Sequence, residues 1–76
     1  MNKKVFNWTF SQIVKFLNKN GFVYTYVKGS HHYYVGKNNH ETRIVTVPFH
    51  GSKNIKPRTF KGIVSQSGIP LDKWNV

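Results

Sequence analysis

Two adjacent histidines, His31 and His32, stand directly after Lys28-Gly29-Ser30 and directly before Tyr33-Tyr34. Histidine is the one side chain whose unperturbed pKa lies close to neutral, so it gives or takes a proton at working pH. Gly29 suits a positive-φ turn, a close approach of backbone amides to a phosphate, or both. The surroundings are basic: twelve Lys+Arg face two acids, Glu41 and Asp72, for a formal net charge of +10. Such an imbalance predicts attraction to a polyanion. A proton-transfer group on a basic surface is what metal-free RNA cleavage needs. The 2′-hydroxyl of the RNA is then the nucleophile, a neutral histidine accepts its proton, and positive charge stabilises the pentavalent phosphorane.

A second group must protonate the leaving 5′-oxygen, and His32, His50 and Lys28 are the candidates. Taken alone, His50 reads better as a loop or phosphate contact, and His40 as a solvated turn residue. Lys28, Lys53, Lys56, Arg58 and Lys61 cluster around the proposed site and the segment that follows it. A solvated basic face is the plainest reading of these five residues, but the near absence of acids favours a phosphate track. Metal chemistry is disfavoured. The two carboxylates are too few for an acid/base pair plus a magnesium site. The four histidines include no pair at helical i,i+4 spacing, and no cysteine accompanies them, so no zinc site is expected. Lack of cysteine also excludes disulfides and suits a reducing cytoplasm, where the protein is expected to act. Apolar runs are only a few residues long, which predicts no membrane span.

These residues have to be held by a small scaffold. A chain of 76 residues has room for one domain, with an irregular lead-in over residues 1–8 and a short tail over 69–76. Thr9-Phe10-Ser11-Gln12 has the form of a capping box. Phe10, Ile13, Val14 and Leu17 then recur at helical spacing, so a helix is predicted over residues 10–20, stopped by Gly21. Residues 22–27 (FVYTYV), 31–35 and 42–47 (TRIVTV) have strand composition, separated by Lys28-Gly29-Ser30 and by a polar turn over residues 36–41. Connections this short predict an antiparallel meander, ended by Pro48. Pro57 suits the first turn of a second helix with Phe60, Ile63 and Val64 on one side, and Gly68 stops it. Leu71 and Trp74 can pack back on the body. The expected fold is α+β: an α-β-β-β-α order with a three-stranded antiparallel sheet and two helices on one face. Tyr24, Tyr26, Tyr33 and Tyr34 should divide between core and open face, where tyrosines can stack on unpaired bases. That plan belongs to double-stranded-RNA-binding domains and to a few small toxins, an analogy of fold alone.

The resemblance becomes specific at Gly21-Phe22, at Lys28-Gly29-Ser30-His31-His32, at Val47-Pro48-Phe49-His50, and from Lys56-Pro57-Arg58-Thr59 through Ser67-Gly68-Ile69. In order and spacing, over residues 13–69, these resemble the HicA family, the small mRNA interferases of HicA/HicB toxin–antitoxin pairs. The resemblance implies a double-stranded-RNA-binding-like fold, metal-independent cleavage of mRNA without a cofactor, and neutralisation by a HicB-type antitoxin that covers the active surface. It also implies that the catalytic histidine follows Gly-Ser directly, which is His31, with His32 the alternative base or acid. Because successive strand residues face opposite sides, only one of the pair should reach the reactive surface. The RNA-binding residues expected beside it are Lys28, Gly29, Ser30, His50, Lys53, Lys56, Arg58 and Lys61. An acidic antitoxin is expected to dock on this face, with exposed tyrosines or Trp74 as anchors. The rival reading is a non-catalytic RNA-binding module that uses the same surface. A basic membrane-surface domain is poorly supported, since no single helix has a long basic amphipathic face.

Overall fold

In the computed structural model, which describes residues 7–74, the first helix α1 (Phe10–Lys19) is opened by a reciprocal cap. The Gln12 amide donates to Thr9 Oγ1 at 3.3 Å and the Thr9 amide donates to Gln12 Oε1 at 2.9 Å. Two of the four otherwise unpartnered N-terminal donors are thereby satisfied. Ile13 and Leu17, one helical turn apart, are fully buried. The helix ends at Asn20, and Gly21 takes a left-handed φ of 87° that turns the chain into the sheet.

Three strands follow, β1 (Val23–Lys28), β2 (His31–Asn38) and β3 (Glu41–Pro48), paired antiparallel in the order β1-β2-β3. The second helix α2 (Pro57–Ser67) starts on proline and stops at Gly68 with φ 75°, and a 3₁₀ turn (Leu71–Trp74) closes the described chain. The α-β-β-β-α order is therefore as the sequence predicts. Both helices and the alternate residues Tyr34, Val45 and Val47 share one core, while Ile44 on the other face is 57% exposed. None of the helices among the described residues is long and apolar enough to cross a membrane.

The meander departs from expectation at the end of β2. Residues 36–41 do not form the turn; β2 continues to Asn38, and only Asn39 and His40 turn, with φ values of 54° and 67°. Two consecutive left-handed residues make the tight hairpin whose twist matches the strands, and asparagine tolerates that conformation better than most. Gly36 is instead a strand residue, paired with Arg43. Its lack of a side chain makes room for the buried Phe22 ring, whose atoms would lie 2.6–2.8 Å from a Cβ placed there.

Other expectations are also corrected. The N-terminal lead-in lies outside the described residues up to position 6, but Trp8 within it is fixed. Its ring stacks on Phe60 at 5.7 Å and meets Trp74 edge-on at 5.5 Å, and its carbonyl accepts from the Ile55 amide at 2.7 Å. Trp74 is 1% exposed and donates through Nε1 to the Ile69 carbonyl at 3.2 Å, so it cannot anchor a partner. Every residue of β1 is exposed. A register shift between Tyr24 and Tyr26 leaves Thr25 as a bulge, with Thr25 Oγ1 donating to the Tyr33 carbonyl at 3.0 Å.

Replacing Gly36 by alanine tests the close approach. The new methyl forces the Phe22 ring out of its site, and overpacking of this kind costs about 1–3 kcal/mol. A denaturant midpoint equal to that of the wild type would show that the sheet yields there without loss.

Candidate functional site

The turn at Gly29-Ser30 fixes how the two histidines are presented. Gly29 adopts φ 62°, and β2 begins at once, with Lys28 opposite His31 and His31 opposite Pro48. These three residues form a row across one end of the sheet, and directly paired residues share a face. Next along that face is the pair Tyr26 and Tyr33, whose rings stack at 4.4 Å with planes 4° apart. This is the face turned away from the helices, and His31 is exposed on it.

His32 points the other way. Its ring lies among Phe10 at 4.9 Å, Phe49 at 6.1 Å and Tyr24 at 6.2 Å, half-buried on the helix side. The period of the strand thus gives the adjacent imidazoles different surroundings. Deeper on the same side, burial and then the neighbouring Tyr24 raise the Tyr34 phenol above its ordinary value of 10.0, which keeps it neutral.

An open pocket of about 420 Å³ lies where the sheet end meets α2. Ser30 and His31 form one wall, and Thr46 and Pro48 continue it along β3. Thr59, Gly62, Ile63 and Gln66 supply the opposite wall from successive turns of α2, and His50 closes the end. The loop after β3 is tied to the Gly-Ser turn by the Phe49 amide, which donates to the Ser30 carbonyl at 2.8 Å. That bond brings His50 to the same pocket as His31, while His32 is not part of its lining.

None of the five predicted cations lines this pocket, and all five are exposed. Lys28 ends the row across the sheet; Lys53 follows His50 in a turn closed by its own amide donating to the His50 carbonyl at 3.2 Å. Lys56 is the N-cap of α2 and makes no side-chain cap, Arg58 stands in the first turn, and Lys61 lies further along the helix. No acid occupies that first turn. Among the described residues, no three of His, Cys, Asp or Glu come together.

Sequence reasoning missed the α2 wall. Thr59, Gly62, Ile63 and Gln66 recur at three- and four-residue spacing, so a polar stripe bordering the apolar one was the available signal. It also missed what holds that wall in place. The Thr46 amide donates to Gln66 Oε1 at 2.9 Å, and Asn38 Nδ2 donates to the Ser67 carbonyl at 3.3 Å. Arg43 Nη1 donates to the Gln66 carbonyl at 3.3 Å, and Nη2 pairs with Glu41 at 3.1 Å. Gly68 allows this packing: a Cβ there would lie 2.6 Å from Arg43 Nε.

The fold and the site describe a small, strongly basic α+β protein with two imidazoles in one open pocket. Residues 10–69 match the family described as the HicA toxin of bacterial toxin–antitoxin systems, and the chain belongs to that family. It is accordingly the toxin of such a system and has a cognate antitoxin. No curated protein matches the chain significantly.

The Arg43 contacts have a measurable consequence. Arg43→Ala leaves carbonyls at the end of α2 without their charged donor and should lower stability by about 1–2 kcal/mol. Glu41→Ala removes only an exposed ion pair, an interaction of at most about 1 kcal/mol. Equal losses in urea denaturation would mean that the ion pair, rather than the helix end, is what Arg43 supports.

Proposed function

We propose that this toxin is a metal-independent endoribonuclease that cleaves mRNA, with His31 as general base. One observation carries the reading: His31 and His50, far apart in sequence, line the same open pocket of a protein with net charge +10. In this mechanism His31 accepts the proton of the RNA 2′-hydroxyl. The O2′–P bond forms, the P–O5′ bond breaks, and a protonated His50 supplies the proton that leaves with the 5′-oxygen. Products are a 2′,3′-cyclic phosphate and a 5′-hydroxyl, and a second cycle requires the two imidazoles to exchange their protonation states with water. Lys28 pairs with His31 across the strands, which supports a role for it in favouring negative charge on the phosphorane. Gly29 and Ser30 shape the approach, while Lys53, Lys56, Arg58 and Lys61 favour the flanking phosphates. Family membership supports the reading, and an mRNA substrate implies action in the cytoplasm.

His31→Ala should then lower RNA cleavage in EDTA by about 10²–10⁴-fold with the fold retained. His32→Phe keeps a ring among Phe10, Tyr24 and Phe49 and should remain active. Activity that survives the first change and is lost with the second makes His32 the base. Wild-type protein that binds unstructured RNA and never cuts it is an RNA-binding module instead.

The antitoxin is taken to be a HicB-type protein whose acidic surface covers the same basic face. RNA and antitoxin then compete for the same lysines. Lys28→Ala should reduce the slope of log K on log salt for single-stranded RNA by roughly 0.7. It should also slow low-salt association with the antitoxin, because steering depends on these charges. If both quantities match the wild type, Lys28 is a solvated residue and the shared-face reading fails.

A further inference from the structure

Two residues of the α2 wall have features that proton transfer does not use. Gly62 sits inside a helix, where glycine is the least favourable residue after proline. Its φ is not left-handed, and a Cβ added there would meet nothing within 4 Å. Neither backbone conformation nor packing calls for glycine at this position. What its missing side chain does is leave the pocket clear, since Gly62 lines it.

Gln66 lies about one helical turn further along the same wall. The Thr46 N–H is a donor, so the atom it meets at 2.9 Å must be the amide oxygen. The orientation of the amide is thereby fixed, with Oε1 held by the strand and the Nε2 donors left over. No protein group among the described residues accepts from them. Gln66 is therefore a neutral donor of set direction beside an open space that a helix glycine keeps empty.

We propose that this pocket seats one unpaired nucleobase of the RNA, beside the bond that is cut, and that Gln66 Nε2 reads an acceptor atom on its edge. The proposal deepens the ribonuclease reading and rests on it. The α2 side of the lining suits a base better than a phosphate, and the scissile phosphate is left to His31 and His50. Among the described residues no lysine or arginine lines the pocket; Pro48 and Ile63 give it apolar surface, and the hydroxyls of Ser30 and Thr59 give it neutral polar groups. Apolar walls with a few oriented hydrogen-bonding groups are the usual recipe for binding a flat heterocycle. The phosphates on either side of such a base are left to exposed cations outside the pocket, and single-stranded RNA is commonly read through splayed bases in this way.

The test maps every cut in one long unstructured RNA and ranks the four bases at each position flanking the cuts. Wild type should show a base preference at one such position. Gln66→Glu keeps an acceptor for the Thr46 amide but replaces the donor by a second acceptor. It should change the ranking at that position and lower kcat/KM at preferred sites about tenfold, with no loss of melting temperature. Gly62→Leu should raise the melting temperature, because a good helix former replaces glycine, and should lower kcat/KM by at least about tenfold. Variants that both cut with the wild-type rate and ranking overturn the proposal while leaving the ribonuclease reading intact. Gly62→Leu protein that cuts normally but no longer holds its antitoxin overturns it in favour of a protein side chain as occupant. If the wild type cuts no RNA, it is the ribonuclease reading that fails. The pocket is then judged by fluorescence anisotropy with four RNAs differing at one base, and equal effects of Gln66→Glu on all four refute it.

Discussion

The amide of Thr46 donates to Gln66 Oε1, and the site depends on that contact. β3 is an edge strand, and its outward N–H groups would otherwise be open to water or to another chain. The second helix does not merely cover the sheet; its last turns are fastened along this edge. Thr46 holds the Gln66 side chain, Arg43 the Gln66 carbonyl and Asn38 the Ser67 carbonyl, so three strand residues grip consecutive helix positions. Main-chain carbonyls at a helix end need such donors anyway. The same bonds therefore finish the helix, blunt the sheet edge and set the wall that faces His31.

A second constraint is the register set by a two-residue turn. Gly29-Ser30 places His31 at the first position of β2, opposite Lys28 and Pro48. Shifting the pairing by one residue would exchange the faces of His31 and His32 and put Val35 or Lys37 where glycine must make room for Phe22. Packing at Gly36 thus protects the placement of a histidine at the other end of the strand. Charge is distributed along the same axis. Glu41 pairs with Asn38 at the far end of the β2–β3 hairpin and is engaged by Arg43, so one of the two acids is held well away from the pocket.

Features that depend on neighbours in sequence were legible without the structure. The Thr9–Gln12 box, the stops at Gly21 and Gly68 and the start at Pro57 each follow from local backbone chemistry, and each is found where it was expected. The end of β2 was not legible, because Gly36 resembles a turn glycine while its reason is the Phe22 ring, brought near only by folding. Trp8 escaped for the same cause: it looks like part of a loose terminus until Trp74, which was expected to pack back on the body, completes an aromatic cluster with it, Phe16 and Phe60. At the site, the motif drew attention to His31, His32 and His50, but alternation along a strand could not say which histidine faced which side. The α2 wall was harder still. Gln66 looks like any solvated helix residue until the Thr46 amide is seen to fix its side chain.

Charge and core size pull against each other in this fold. Ten net positive charges on 76 residues repel one another, and that repulsion is relieved when the chain expands. The buried cluster that opposes expansion draws on both helices, β2, β3 and the tail, but takes no residue from β1. β1 instead carries apolar side chains in the open, with Val23 at 60% exposure and Tyr26 at 53%. A long apolar edge of that kind invites pairing with other chains, and the bulge at Thr25 together with Lys28 at its end counters this by twist and charge. Packing and exposed charge therefore lie on different parts of the molecule. The helix side supplies the packing, and the sheet end carries a border of exposed basic residues. A partner that neutralises that border also removes part of the self-repulsion, so binding there and holding the fold together act in the same direction.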